Sequence, residues 1–211
     1  IAAVHYKFFN YLKERNELKE AKTILEIGEQ NWYGDLDPTI LIQDIAKYTP
    51  TNSRTKLLEI AKSILSQTTT ELMPFDIAKL FYKVYFNSEK ISSIDFNGTN
   101  SAMQLDLNLP HDLGEQFDSI FNLGTAEHVF NVYQSFKSMH EWLKVGGRIY
   151  HCLPMHGEID HGFYNFHPTF YWDLAYANEY KIISIAKSTM KSLVFASDRS
   201  SLQQNISSQD M

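Results

Sequence analysis

Short apolar segments alternate with helical segments along most of this chain, and this alternation is the feature that most limits its fold. Strand-like segments lie at 23–27, 91–96, 102–107, 117–123, 148–153, 180–186 and 192–196. Helical periodicity is found at 4–22, 126–143 and 168–178, with three further helices within 37–88. Apolar strands separated by helices are typical of a mainly parallel sheet with helices on both faces. We therefore predict an α/β protein with a mainly parallel sheet of seven strands.

Length and charge narrow the class of protein. The 211 residues fit a single domain, and we expect the helical block at about 37–88 to be an insertion that forms a cap. The formal net charge is −6 and no basic run is present. This argues against a nucleic-acid partner, because such surfaces need Lys and Arg to neutralise phosphates. The sequence does not indicate the oligomeric state.

Cysteine content and hydropathy bear on the compartment. Cys152 is the single cysteine, so an internal disulfide and a zinc site built on several cysteines are excluded. The sequence contains no apolar run of about 18 residues and does not open with a signal-peptide pattern. We therefore expect a cytoplasmic protein with no membrane partner.

Polar residues and a glycine follow the predicted strands. Glu26 and Gly28 lie at the end of the first strand, Asp95 at the end of the second, Asp106 at the end of the third and Asn122 at the end of the fourth. Ligands of open parallel sheets bind at the carboxyl ends of the strands. A carboxylate there can accept hydrogen bonds from both ribose hydroxyls, and a glycine lets the backbone approach a ligand closely. These strand ends are therefore the candidate ligand site.

Five of these segments, in order and spacing, resemble the class I S-adenosylmethionine-dependent methyltransferases. The resemblance covers about residues 20–35 and 89–190. The run from Thr23 to Gly28 is similar to the first motif of the family, and Asp95 to its ribose-binding acid. The segments similar to the adenine-flanking segment, the fourth-strand motif and the turn before the fifth strand are 104–107, 117–124 and 143–147.

The resemblance implies a Rossmann-like fold, S-adenosylmethionine as cofactor and methyl transfer to an oxygen or nitrogen of a small polar molecule, for example a sugar. The cofactor-binding residues that it implies are Glu26, Gly28, Gln30, Asp95, Asp106, Leu107 and Asn122. Gln30 stands where the family usually has a further glycine. It is expected either to contact the amino-acid part of the cofactor or to narrow the pocket.

Histidines supply the candidate bases. His128 is predicted in the first turn of the helix after the fourth strand, where the helix N-terminus favours the neutral imidazole. A neutral histidine can take a proton from an acceptor hydroxyl or amine, so His128 is the first candidate and His161 the second. The segment after the fifth strand is where the resembling fold builds its acceptor site. The substrate-side residues expected there are His156, Tyr164 and His167.

Three other interpretations stay open. Glu127 and His128 are similar to a pair that holds a divalent cation in some methyltransferases, although two ligands alone do not define a metal site. A non-catalytic binding protein on a decayed methyltransferase scaffold would explain the few glycines of the first motif. A nicotinamide-dependent oxidoreductase would share the ribose acid, but the loop after Gly28 lacks the glycine-rich phosphate cradle.

Overall fold

The computed structural model of this chain describes residues 1–66, 71–157, 159–188, 193–199 and 201. These residues fall into two units, Ile1–Leu153 and Pro154–Met211. The elements of the first unit are α1 (Ala3–Glu14), β1 (Thr23–Ile27), α2 (Ile40–Tyr48), α3 (Thr51–Ser66), α4 (Met73–Phe86), β2 (Lys90–Ile94), β3 (Phe117–Leu123), α5 (Val132–Glu141) and β4 (Leu143–Cys152). Those of the second are α6 (Pro168–Ala177), β5 (Ile185–Ser188) and β6 (Leu193–Ala196).

The first unit is built on a parallel sheet of four strands in the order β2-β1-β3-β4. The central strand β1 carries Ile24, Leu25 and Ile27, none of which is exposed, as is usual for a parallel strand covered on both faces. From β1 the chain moves outward to β2 and then returns past β1 to β3. The topological switch point of the sheet therefore lies between the carboxyl ends of β1 and β3.

The predicted α/β class and parallel sheet are confirmed, but the predicted number of seven strands is wrong for the described residues. The segment 102–107 forms one isolated bridge, between Met103 and Ile94, and then turns at Asp106. In the second unit, β5 and β6 pair with each other in antiparallel fashion. Ser192, the predicted first residue of the last strand, lies outside the described residues.

The predicted helix 126–143 is divided in two. Ala126–His128 forms a short 3₁₀ turn, and α5 starts at Val132 after the cap residue Asn131, whose side chain accepts a hydrogen bond from the Gln134 N–H. Asn131 is itself bound to Asn108 through its backbone N–H and its side-chain amide. A distant partner thus fixes where the helix begins. The helix ends before β4, so Gly146 and Gly147 lie within that strand and not at the helix terminus.

The core of the first unit joins helices α1 and α4 to the sheet. The ring of Phe9 on α1 contacts the rings of Phe81, Phe86, Phe121 and Tyr150. The predicted helices within 37–88 are confirmed as α2, α3 and α4. Because α4 supplies Phe81 and Phe86 to this core, it is a structural helix of the unit; a cap role for α2 and α3 stays a prediction. None of the helices in the described residues is long and apolar enough to cross a membrane.

Candidate functional site at the carboxyl edge of the sheet

Gly28 occupies a position that only glycine fills without strain. Its φ angle is +80°, and a Cβ atom there would lie 2.1 Å from the hydroxyl oxygen of Thr125. That hydroxyl donates a 2.7 Å hydrogen bond to the Ile27 carbonyl. Gly28, the residue after β1, is therefore held directly against Thr125, the second residue after β3, across the switch point of the sheet.

Asp95 is held beside Gly28. The Gly28 N–H donates to the Ile94 carbonyl at 2.7 Å, and the Glu29 N–H donates to Asp95 Oδ2 at 2.9 Å. The other carboxylate oxygen, Oδ1, accepts from the Asn97 N–H at 2.9 Å. Two backbone amides thus fix the orientation of the Asp95 carboxylate. Gly28 and Asp95 follow the adjacent strands β1 and β2, as the sequence predicts.

Glu29 joins three segments around this carboxylate, and sequence reasoning missed it. Its nearly buried side chain accepts from the Thr99 N–H at 2.7 Å and from the Thr99 hydroxyl at 3.0 Å. Lys79 on α4 forms an ion pair with it at 3.4 Å. The loop after β2 and helix α4 are therefore both tied to the residue that follows Gly28. A glutamate beside the motif glycine is the only sequence signal for this role.

Glu26 is buried within β1. Its Oε2 atom accepts a 2.5 Å hydrogen bond from the Ser93 hydroxyl. Oε1 and the nearby Tyr82 hydroxyl lack a hydrogen-bond partner of normal geometry among the described residues. Burial raises the pKa of Glu26 to about 7, against the lowering effects of Ser93, Tyr82 and Lys79. The structure shows Glu26 on β1 bonded to Ser93 on β2 inside the sheet. A direct contact of Glu26 with a cofactor stays a prediction.

Gln30 lies at the switch point itself. Its side chain is buried, and the Nε2 atom donates to the Gly28 carbonyl at 3.2 Å and to the Leu123 carbonyl at 3.3 Å. The amide thus bridges the ends of β1 and β3. The expectation for Gln30 is either a contact with the amino-acid part of the cofactor or a narrower pocket. This geometry favours the second, because the side chain lies across the gap between the strand ends.

Asp106 and Leu107 follow the isolated bridge at Met103. Asp106 Oδ1 accepts from the backbone N–H of Asn108 at 2.9 Å and from its side-chain amide at 2.7 Å. These bonds lower the pKa of Asp106 and define an Asx turn. Leu107 is buried. Both residues lie after the bridge beside β2, and ligand contact by either one stays a prediction.

Buried Asn122 and partly buried His151 form a polar pair at the ends of β3 and β4. Asn122 Oδ1 accepts from the Ala126 N–H at 3.1 Å, which leaves the amide nitrogen facing His151 Nδ1 at 3.1 Å. Nδ1 is then the acceptor, so the proton of the neutral ring is on Nε2. Burial lowers the pKa of His151 to about 4, and its ring stacks on Phe136. The Asn122 side chain therefore bonds within the protein through both its oxygen and its nitrogen, and a contact with a cofactor stays a prediction. No sequence signal links Asn122 to His151.

His128 is the last residue of the 3₁₀ turn and is not in the first turn of α5. Its side chain is 44 % exposed, and its Nε2 atom lies 3.8 Å from an oxygen of buried Glu127. The predicted influence of a helix N-terminus on His128 therefore does not apply, because α5 starts four residues later.

The other predicted site residues belong to the second unit. His156 and His161 are exposed and Tyr164 is half-buried. His167 caps α6, because its Nδ1 atom accepts from the Thr169 N–H at 3.2 Å. This structural role is consistent with the position of His167 directly before Pro168, the first residue of α6. The placement of these residues beside His128 stays a prediction.

Comparison with known proteins gives no family for this chain. A scan of the sequence against models of protein families, and searches for similar curated proteins and similar solved structures, each return no match.

Proposed function

We propose that this protein transfers a methyl group from S-adenosylmethionine to an oxygen or nitrogen of a small polar molecule, for example a sugar. The observation that carries the proposal is the pair formed by Gly28 and Asp95 at the ends of adjacent parallel strands. A Rossmann-like arrangement is part of the proposal, and the strand order β2-β1-β3-β4 with its switch point beside Gly28 supports it.

Asp95 suits the ribose of a nucleoside. An ionised carboxylate has about four acceptor positions, and the backbone N–H groups of Glu29 and Asn97 use one on each oxygen. One position per oxygen remains for a pair of ribose hydroxyls. Because the two amides already fix the carboxylate, little conformational entropy would be lost when a nucleoside binds.

His128 is the proposed base. The bound cofactor would supply an electrophilic methyl group on its sulfonium sulfur. His128 would take the proton of the acceptor hydroxyl or amine, and the nearby Glu127 carboxylate would stabilise the imidazolium that results. Most of the rate enhancement in such a transfer comes from holding the acceptor in line with the methyl group, and the base adds a smaller factor.

Isothermal titration calorimetry tests the proposal. We expect S-adenosylmethionine and S-adenosylhomocysteine to bind and NAD(H) not to bind. Replacement of the ribose acid, Asp95→Ala, should weaken binding by about 1–3 kcal/mol through the loss of charged hydrogen bonds. An unchanged affinity in Asp95→Ala would remove this residue from the site. Asp112→Ala is the matched control, since this exposed carboxylate lies in the turn before β3.

A non-catalytic protein on a decayed scaffold is the second candidate, and the Gln30 side chain across the switch point favours it. This interpretation predicts that the intact protein binds neither S-adenosylmethionine nor S-adenosylhomocysteine. The same titration therefore separates the two candidates, and binding of NAD(H) alone would favour an oxidoreductase.

A further inference from the structure

Beyond Ile27 and Asn122, β1 and β3 no longer pair with each other, so the carbonyl groups of Gly28 and Leu123 have no partner on the strand across this gap. Pairing between the strands stops there because β1 turns away at Gly28. The carbonyl oxygens of Gly28 and Leu123 then accept from the Nε2 atom of Gln30. Since buried carbonyl groups need hydrogen-bond partners, the Gln30 side chain satisfies a need that the divergence of the strands creates.

The two bonds of Gln30 are weak ones. Their lengths of 3.2 and 3.3 Å are at and just beyond the upper limit of the usual range for N–H···O bonds, and both start from one uncharged amide. The second bridge across the same gap, from the Thr125 hydroxyl to the Ile27 carbonyl, is 2.7 Å long. The strand ends would thus stay joined through Thr125 if Gln30 moved away.

We propose that the Gln30 side chain is a latch that closes the part of the site meant for the amino-acid tail of the methyl donor. This inference rests on the proposed function. A ligand ammonium group offers three N–H donors, so it can take over both carbonyl oxygens that Gln30 now satisfies. A nucleoside without such a tail would bind at Asp95 and leave the latch closed.

The latch lowers the affinity for tailed ligands. A ligand that binds only the open form has its apparent affinity reduced by the fraction of protein that is open. Removal of the latch should therefore strengthen binding of tailed ligands and leave binding of the bare nucleoside as it was. A residue that contacts the cofactor directly would behave in the opposite way, since its removal weakens binding.

Calorimetric titration of the intact protein with S-adenosylhomocysteine and with adenosine tests the latch. We expect Gln30→Ala to bind S-adenosylhomocysteine about tenfold more tightly than the wild type, from the loss of two neutral hydrogen bonds in the closed form. Adenosine should bind both proteins equally. Gln30→Met, which keeps the bulk of the side chain but cannot donate, should show a smaller gain in the same direction. The control is Gln134→Ala, which removes another buried glutamine of the same unit.

Each outcome decides the matter. Weaker binding of S-adenosylhomocysteine to Gln30→Ala with unchanged adenosine binding would make Gln30 a direct contact and overturn the latch. Equal changes for both ligands would also overturn it, because they report a general structural effect. If Gln30→Ala does not fold, Gln30→Met must still bind the tailed ligand more tightly than the wild type. If the wild type binds neither ligand, the proposed function itself fails. If the wild type binds adenosine and the Gln30 variants bind S-adenosylhomocysteine with the affinity of the wild type, only the latch fails.

Discussion

Gly28 and Gly34 share one backbone conformation, so alanine substitutions at the two positions separate the energetic cost of backbone strain from that of a steric clash. Gly28 and Gly34 have φ angles of +80° and +81°, but a Cβ at Gly28 would meet Thr125, whereas one at Gly34 would meet no atom within 4 Å. We expect Gly34→Ala to cost about 1–2 kcal/mol of unfolding free energy from the left-handed backbone alone. Gly28→Ala should cost about 3–4 kcal/mol, because the clash adds to this strain.

Urea unfolding of both variants measures this difference. A Thr125→Ala change in the Gly28→Ala background should restore part of the lost stability, since it removes the hydroxyl that a Cβ would meet. Equal costs for the two glycine variants would contradict the close approach of the ends of β1 and β3.

Glu26 gives the stability of the protein a dependence on pH. Burial raises the pKa of this carboxyl from 4.5 to about 7 in the folded protein, so the neutral form is the one that folding favours. Its contribution to the free energy of unfolding is complete below about pH 4.5 and is lost as the pH rises through about 7. The loss amounts to about 3 kcal/mol.

Denaturant unfolding between these pH values should show this loss in the wild type and a much flatter profile in Glu26→Gln. Ser93→Ala should shift the loss to higher pH, because the Ser93 hydroxyl lowers the pKa of Glu26. A wild-type slope that persists in Glu26→Gln would assign the pH dependence to another group.

At the scale of elements, three strands are joined at their amino ends through Asp118. Its carboxylate accepts from the Thr23 N–H at 2.8 Å and from Lys144 Nζ at 2.9 Å. Burial alone would raise the pKa of Asp118, but the bonds from Lys144 and Thr23 outweigh it and lower the pKa to about 2. The stability that this group supplies is present above pH 3.8 and is lost as the pH falls through about 2.

We expect Asp118→Asn to lower the unfolding free energy at neutral pH by about 1–2 kcal/mol, because water screens this partly exposed pair. Chemical denaturation is the measurement. Glu115→Gln, which breaks the exposed ion pair with Lys90, is the matched control and should change stability by less than about 1 kcal/mol. Similar effects of the two changes would mean that Asp118 does not join the strands.

The sequence predicts the elements where local periodicity decides them. Helices α2, α3, α4 and α6 and strands β1, β2 and β3 lie within a few residues of their predicted bounds. The prediction fails where a distant residue decides where an element begins. Asn108 fixes the start of α5 through Asn131. The register between β3 and β4 shifts between Phe117 and Ser119, which allows β4 to begin before Gly146. Such partners leave no trace in local spacing.

At the scale of the whole first unit, the core depends on one ring from α1. Phe9 is fully buried and contacts rings from α4, β3 and β4. We expect Phe9→Ala to cost about 3–5 kcal/mol of unfolding free energy, from lost burial and from the cavity that it leaves. Its half-buried neighbour is the matched control, and Phe8→Ala should cost clearly less in the same thermal or urea unfolding experiment. An equal cost for both would contradict the central position of Phe9.

The candidate site is predictable only in part for the same reason. The neighbouring positions of Gly28 and Asp95 follow from the rule that parallel strands end at one edge. The bonds of Glu29 to Lys79 and of Asn122 to His151 join residues that are far apart in sequence, and side-chain geometry decides them. The direction of the Gln30 amide depends likewise on carbonyl groups that become available only when the strands diverge.

The strand order has a consequence for how the chain folds. Strand β1 comes early in the chain, yet its bonds to β2 and β3 join residues that are 67 and 95 positions apart. Large loops must therefore close before β1 gains any pairing energy, while α2, α3 and α4 can form from local contacts. Folding of the first unit is thus expected in the millisecond-to-second range that is typical of topologies rich in non-local pairing, with the helices formed before the sheet.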